Sequence, residues 1–105
     1  MQFIETPVFT SALRRHLEDD AYRALQLELV RRPEQGAIIR GGAGVRKLRW
    51  ASQGRGKRGD LRVIYYWAAD DETFYMLYAY KKNQQGDLDA SQIRALARLV
   101  REELK

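Results

Sequence analysis

Eight basic residues lie between Arg40 and Arg62 (Arg40, Arg46, Lys47, Arg49, Arg55, Lys57, Arg58 and Arg62), against one acid, Asp60. The segment carries +7 in a chain whose formal total is +5, so the remaining residues sum to −2. A positive region this concentrated calls for a polyanion, and in the cytosol the commonest polyanion is nucleic acid. Charge that only kept the protein soluble would be scattered and mixed in sign. Aromatic residues accompany the cations, with Tyr65, Tyr66, Trp67, Tyr78 and Tyr80 close by in sequence. Cations that hold phosphates beside rings that stack on splayed bases suit single-stranded RNA.

Three familiar hydrolytic sites are absent from the sequence. The chain has a single histidine, His16, distant in sequence from the basic segment, and no cysteine. A serine triad therefore lacks its base, and neither a thiolate nucleophile nor a thiolate zinc site can form. The acidic groups Glu18-Asp19-Asp20 and Asp70-Asp71-Glu72 stand where helix caps and turns account for them. RNA cleavage needs none of these, because the substrate brings its own nucleophile, the 2′-hydroxyl next to the phosphate. Its attack builds charge on the non-bridging oxygens, which fixed Arg and Lys side chains stabilise more in the transition state than in the ground state. A lysine among other cations, or a tyrosine, can then serve as general acid or base.

The elements that must hold these residues follow from periodicity. Residues Gln2 to Glu5 alternate around Phe3 as a short strand. Thr6-Pro7 reads as an N-cap with proline in the first helical turn, and Phe9, Leu13 and Leu17 form the helix's buried stripe. Asp19 or Asp20 opens a second helix, with Tyr22, Leu25 and Leu29 on one side and Pro33 and Gly36 beyond its end. The run Gly41-Gly42-Ala43-Gly44 lacks the Lys-Ser/Thr ending of a phosphate loop and is followed by a strand, so it reads as a connection. Three strands follow. In Val45 to Ala51, Leu48 and Trp50 share one face and Lys47 and Arg49 the other. In Leu61 to Trp67, Leu61, Val63, Tyr65 and Trp67 oppose Arg62, Ile64 and Tyr66. Thr73 to Lys81 is dense enough in apolar residues to be buried on both faces and central. Asp70-Asp71 turns between the last two, and the link SQGRGKRG (Ser52 to Gly59) is a basic loop. Asp89 and Gln92 form a capping box for a last helix that turns Ile93, Leu96 and Val100 inward.

The order β-α-α-β-β-β-α predicts one α+β domain over residues 1–105, a mostly antiparallel sheet with its helices on one face. The other face is then free to gather Lys47, Arg49 and Arg62, with Tyr80, Lys81 and Lys82 arriving from the last strand. No apolar run approaches a bilayer span and the first residues lack signal-peptide character, so a cytoplasmic protein without membrane contact is expected.

The run GVRKLRWASQGRGKRGDLRVIYYW (Gly44 to Trp67), followed by FYMLYAYKKNQQGDL (Phe74 to Leu88), resembles the RelE/HigB superfamily of toxin-antitoxin ribonucleases, particularly its HigB-like branch. The most specific parts are G-x-R-K-[LI]-R at Gly44 to Arg49, the basic glycine loop ending in R-[VI]-I-Y-Y, and Y-x-K-N at Tyr80 to Asn83. The resemblance implies a RelE-like, microbial-RNase-like fold and a ribosome-dependent mRNA interferase that works in the ribosomal A site without a cofactor or metal. It implies catalytic roles for Lys47, Arg49, Arg62 and Lys82. Arg46, Arg55, Lys57, Arg58 and Lys81 are expected to bind RNA. Many relatives place a tyrosine near the C-terminal helix; residues 84–105 have none, and Tyr80 is the substitute. A cognate antitoxin, often of helix-turn-helix type, is the implied partner, with operator DNA reached only through the toxin-antitoxin complex. Two other readings predict different behaviour. A non-catalytic RNA- or DNA-binding module would bind with a salt slope and leave the message intact, whereas an interaction protein would use Tyr65, Trp67 and Tyr75 as a partner surface.

Overall fold

The computed structural model describes residues 1–50 and 61–104. Its elements are β1 (Gln2–Glu5), α1 (Pro7–His16), α2 (Asp19–Arg31), β2 (Ala37–Ile38), β3 (Arg46–Trp50), β4 (Leu61–Ala68), a 3-10 turn (Ala69–Asp71), β5 (Thr73–Lys81), α3 (Ala90–Leu99) and a closing π-type turn (Val100–Leu104). The five strands form one sheet in the order β1-β5-β4-β3-β2. β1 runs parallel to β5, and the other pairings are antiparallel. β4 is thus the middle strand and β5 lies beside it, because β1 pairs on the outer side of β5. The two-residue β2 forms the far edge and has no signal in the sequence.

Local signals set the helix ends. The Thr6 hydroxyl accepts the Phe9 amide at 3.0 Å with Pro7 in the first turn, which satisfies one of the amides a helix start leaves unpaired. α2 begins at Asp19 behind Glu18, which makes no side-chain cap bond, so Asp19 and Asp20 act as first-turn acids and not as the cap. The Asp89/Gln92 capping box is present in full.

Apolar residues form two clusters, one on each face of the sheet. Phe9, Ala12, Leu13, Leu25 and Leu29 from α1 and α2 pack on Leu61, Val63, Tyr65, Phe74, Met76 and Ala79. On the other face, Val45, Ile64, Leu77, Tyr80 and Leu88 gather with Val100, and Ile93, Leu96 and Leu99 of α3 pack against them. The α+β class and the order of elements are as expected, but the helices do not share one face: α3 crosses to the side opposite α1 and α2. The cause is visible in β4, whose second face carries Ile64 and Tyr66 besides Arg62. Bare Ile64 would leave apolar surface in water, and α3 removes it at roughly 25 cal/mol per Å².

Two irregularities matter for the site. Ile64 pairs with Tyr78 and Tyr65 with Met76, so Leu77 has no partner of its own and forms a bulge in β5. Leu77 and Tyr78 consequently both face α3. In the connection before β3, Gly44 has φ +101, and a Cβ there would stand 3.1 Å from the Tyr66 ring.

Tyr65 is fully buried, and its hydroxyl accepts from the Gly36 amide at 3.0 Å and donates to the Pro33 carbonyl at 2.8 Å. It thereby ties the α2–β2 connection to the sheet. Tyr65→Phe is expected to leave the Gly36 amide unpaired and lower unfolding free energy by about 1–3 kcal/mol. Urea titration should show an earlier midpoint with an unchanged slope.

Candidate functional site

Strand register decides which cations meet. Arg49 on β3 pairs with Arg62 on β4, and Arg62 pairs with Tyr80 on β5, so the three side chains form one row across the sheet. In the next row Lys47 pairs with Ile64 and Ile64 with Tyr78. Arg62 alternates with Leu61 and Val63, which face α1 and α2, so both rows lie on the α3 face. The register thus sets two guanidinium-bearing residues, Arg49 and Arg62, directly opposite each other in the ladder. Arg62 Nη1 is buried and has no hydrogen-bond partner among the described residues. A buried guanidinium nitrogen left in that state is costly unless an acceptor arrives, and an anion on this face would supply one.

The sequence reading did not foresee Asp87, in the turn between β5 and α3. One of its oxygens, Oδ1, accepts the Leu88 amide at 2.8 Å, the Lys47 ammonium at 3.2 Å and the Tyr80 hydroxyl at 3.4 Å. The Leu88 amide above all, with help from Lys47 and Tyr80, holds the Asp87 carboxyl below the usual carboxylate range, against the opposing effect of burial. Tyr80, only 4% exposed, is pushed up to about 12 by burial first and by Asp87 next, with Arg62 opposing. At neutral pH its hydroxyl is therefore protonated, a donor and not a base. Tyr78 stacks obliquely on Tyr80, ring centroids 5.8 Å apart, and donates to Gln85. An acid placed twenty-five residues beyond the basic segment, in a turn it already explains locally, carried no pattern that could single it out.

The remaining expected site residues are dispersed. Lys82 is exposed in the turn after β5. Lys81 pairs with Leu61 and so faces α1 and α2, where with burial and Arg15 it depresses the pKa of His16. The lone histidine is thus on the far side of the sheet from the cation rows. Arg46 pairs with Tyr65 on that same far side, and its Nη1 donates to the Glu34 and Gly36 carbonyls at 2.9 and 2.8 Å. Its place is that of a brace for the α2–β2 connection, on the face away from Lys47. Arg55, Lys57 and Arg58 lie outside the described residues. A second basic row was also missed: Arg94, Arg98 and Arg101 of α3 and the following turn line a cleft of about 220 Å³ with Gly41, Ala97 and Glu102. Their spacing of four and three places them on one helical side. A shallow cleft of about 410 Å³ at Arg32, Pro33, Glu34, Gln35 and Trp67 lies on the other face and meets none of the clustered groups.

Among the described residues no group of three or more His, Cys, Asp or Glu side chains could hold a metal ion, and no helix is long and apolar enough to cross a membrane. What the face offers is a set of fixed donors, two guanidinium groups, an ammonium and a phenol, around one carboxylate.

Two comparisons place this arrangement among known proteins. The solved structure of an arginine-to-alanine double mutant of the E. coli toxin RelE, in its free state, matches with a TM-score of 0.59 at 17% identity, over 97% of this chain and 96% of that one. That likeness establishes a shared fold. The family model described as the RelE toxin of the RelE/RelB toxin-antitoxin system matches residues 1–104. The match spans both cation-bearing strands and the turn that carries Asp87, and it is made at the level of the family and not of the HigB-like branch. On that match, the chain belongs to the RelE toxin family.

Proposed function

We propose that this protein is the toxin of a toxin-antitoxin pair and acts in the cytoplasm as a metal-independent endoribonuclease that cuts mRNA in the ribosomal A site. The row Arg49–Arg62–Tyr80, with Lys47 beside it and a buried nitrogen on Arg62 that has no partner among the described residues, carries this reading. In the reaction, the 2′-oxygen attacks phosphorus as its proton passes to a water molecule. The bond from phosphorus to the 5′-oxygen breaks, leaving a 2′,3′-cyclic phosphate and a 5′-hydroxyl that has gained a proton. Arg62 and Arg49 face the oxygens on which charge accumulates, and preplaced donors of this kind contribute about 10²- to 10³-fold each. Tyr80 and Lys47 stand on the proton-donating side, next to the leaving oxygen. The arginine row on α3 extends positive charge for flanking phosphates. An antitoxin of helix-turn-helix type, presenting acidic side chains to this face, would neutralise the toxin and carry it to operator DNA.

The test is toeprinting on a translated message in a cell-free system. Discrete breaks within the A-site codon are expected, together with a block of protein synthesis. A message that stays intact while RNA still binds in a salt-dependent manner would identify the protein as a nucleic-acid-binding module and overturn the enzymatic reading.

A further inference from the structure

We infer that Asp87 is the positioning residue of this site, a carboxylate that fixes the Lys47 ammonium and the Tyr80 hydroxyl over Arg62. The inference rests on the ribonuclease reading above and assigns work within it.

The local role of Asp87, accepting the Leu88 amide, explains an acid in this turn. It does not explain why the same oxygen also receives Lys47, forty residues earlier on β3, and Tyr80 on β5. Nor is Asp87 carried to its place by Lys47. Gln85 Nε2 donates to the Asp87 carbonyl at 3.0 Å and to Gln92 Oε1 at 2.7 Å, Tyr78 donates to Gln85 Oε1 at 3.0 Å, and the Asp89/Gln92 capping box closes the turn onto α3. The carboxylate is set by its own turn, and the two site residues come to it.

The sign of the charge carries the rest. A polyanion site gains affinity from every cation and loses it from every anion, so an exposed carboxylate among Lys47, Arg49 and Arg62 opposes simple attraction. Geometry is what it supplies in exchange. A lysine stem has four rotatable bonds and about 2 kcal/mol of rotamer entropy, and an unanchored ammonium spends most of its time elsewhere. Anchored at 3.2 Å from Oδ1, it shares that oxygen with the Tyr80 hydroxyl of the row. Beside the carboxylate and buried, the Tyr80 hydroxyl keeps its proton, which suits a group that donates to a leaving oxygen. Misplacement of such a group by about 1 Å can cost about 10²-fold.

The experiment compares the parent chain with Asp87→Asn and Asp87→Glu in single-turnover cleavage of a defined message on programmed ribosomes. Asparagine keeps an acceptor for the Leu88 amide and removes the charge. Asp87→Asn is expected to lower the cleavage rate about 10- to 100-fold while the half-saturating concentration stays level or falls, with partial recovery in Asp87→Glu. An unchanged or faster rate in Asp87→Asn overturns the inference, as does a parallel loss of rate and affinity, which indicates a collapsed turn. Tyrosine ring-carbon NMR adds a readout that does not depend on cleavage. Tyr80 should titrate near 12 in the parent and lower in Asp87→Asn, since the carboxylate's contribution is gone while that of burial remains. A parent that fails to cut while Tyr80 still shifts removes the ribonuclease reading alone; a Tyr80 midpoint that does not move removes the clamp.

Discussion

Arg62→Ala should abolish the translational block, cutting message cleavage about 10²- to 10³-fold while the protein remains folded. The size follows from removing one preplaced donor to a developing oxyanion, about 2.7–4 kcal/mol of barrier. Arg62 belongs to neither apolar cluster, and its neighbours in the ladder keep their backbone pairs, so circular dichroism and thermal midpoint should hardly change. The variant also removes a buried nitrogen that has no partner among the described residues, so no loss of stability is expected. Arg62→Lys should fall between the two, because an ammonium keeps the charge but lacks the fork that meets two phosphate oxygens at once. Full inhibition by Arg62→Ala in a cell-free translation assay would place the chemistry elsewhere.

Phe9→Ala produces the opposite pattern. Phe9 is wholly buried between α1, α2 and the sheet, within 6.0 Å of the Tyr22 ring by centroid, and its truncation should cost about 3–5 kcal/mol. For a domain of this size each kcal/mol moves the thermal midpoint by about 4–8 °C, so differential scanning calorimetry should find a fall of more than 12 °C. The lost contacts lie on the face away from Lys47, Arg49 and Arg62. Cleavage per folded molecule at low temperature is therefore expected to match the parent, and a large specific loss there would mean that the two faces are coupled through the sheet.

Period-two alternation was sufficient to assign the cation rows. It set Lys47 and Arg49 against Leu48 and Trp50, and Arg62 against Leu61 and Val63, and the register joins those residues as alternation requires. The helix caps at Thr6 and Asp89 were equally legible, since each is a local hydrogen-bond pattern written within four residues. What alternation cannot give is the destination of a helix. The inward stripe Ile93, Leu96, Val100 showed that α3 packs on something, but the face it chose depended on Ile64 and Tyr66, thirty residues earlier, needing cover. Arg46 sits on the core side, as alternation assigns it. It belongs to the same basic run as Lys47, yet one step along a strand turns it to the other side, where two carbonyls occupy it. Asp87 lay beyond any local rule, because its partners come from two other strands.

The unpaired Leu77 makes the phase of a strand a chemical variable in this protein. Before it, even-numbered positions of β5, Phe74 and Met76, look toward α1 and α2; after it, Ala79 does so and Tyr80 looks the other way. Drawn into the ladder opposite Ile64, Leu77 would set Ala79 against Arg62 and turn the Tyr80 phenol toward α1 and α2, so it is the bulge that keeps Tyr80 beside Arg62. Substitutions along β5 alter one group at a time, whereas flattening the bulge would turn over Tyr78, Ala79, Tyr80 and Lys81 together.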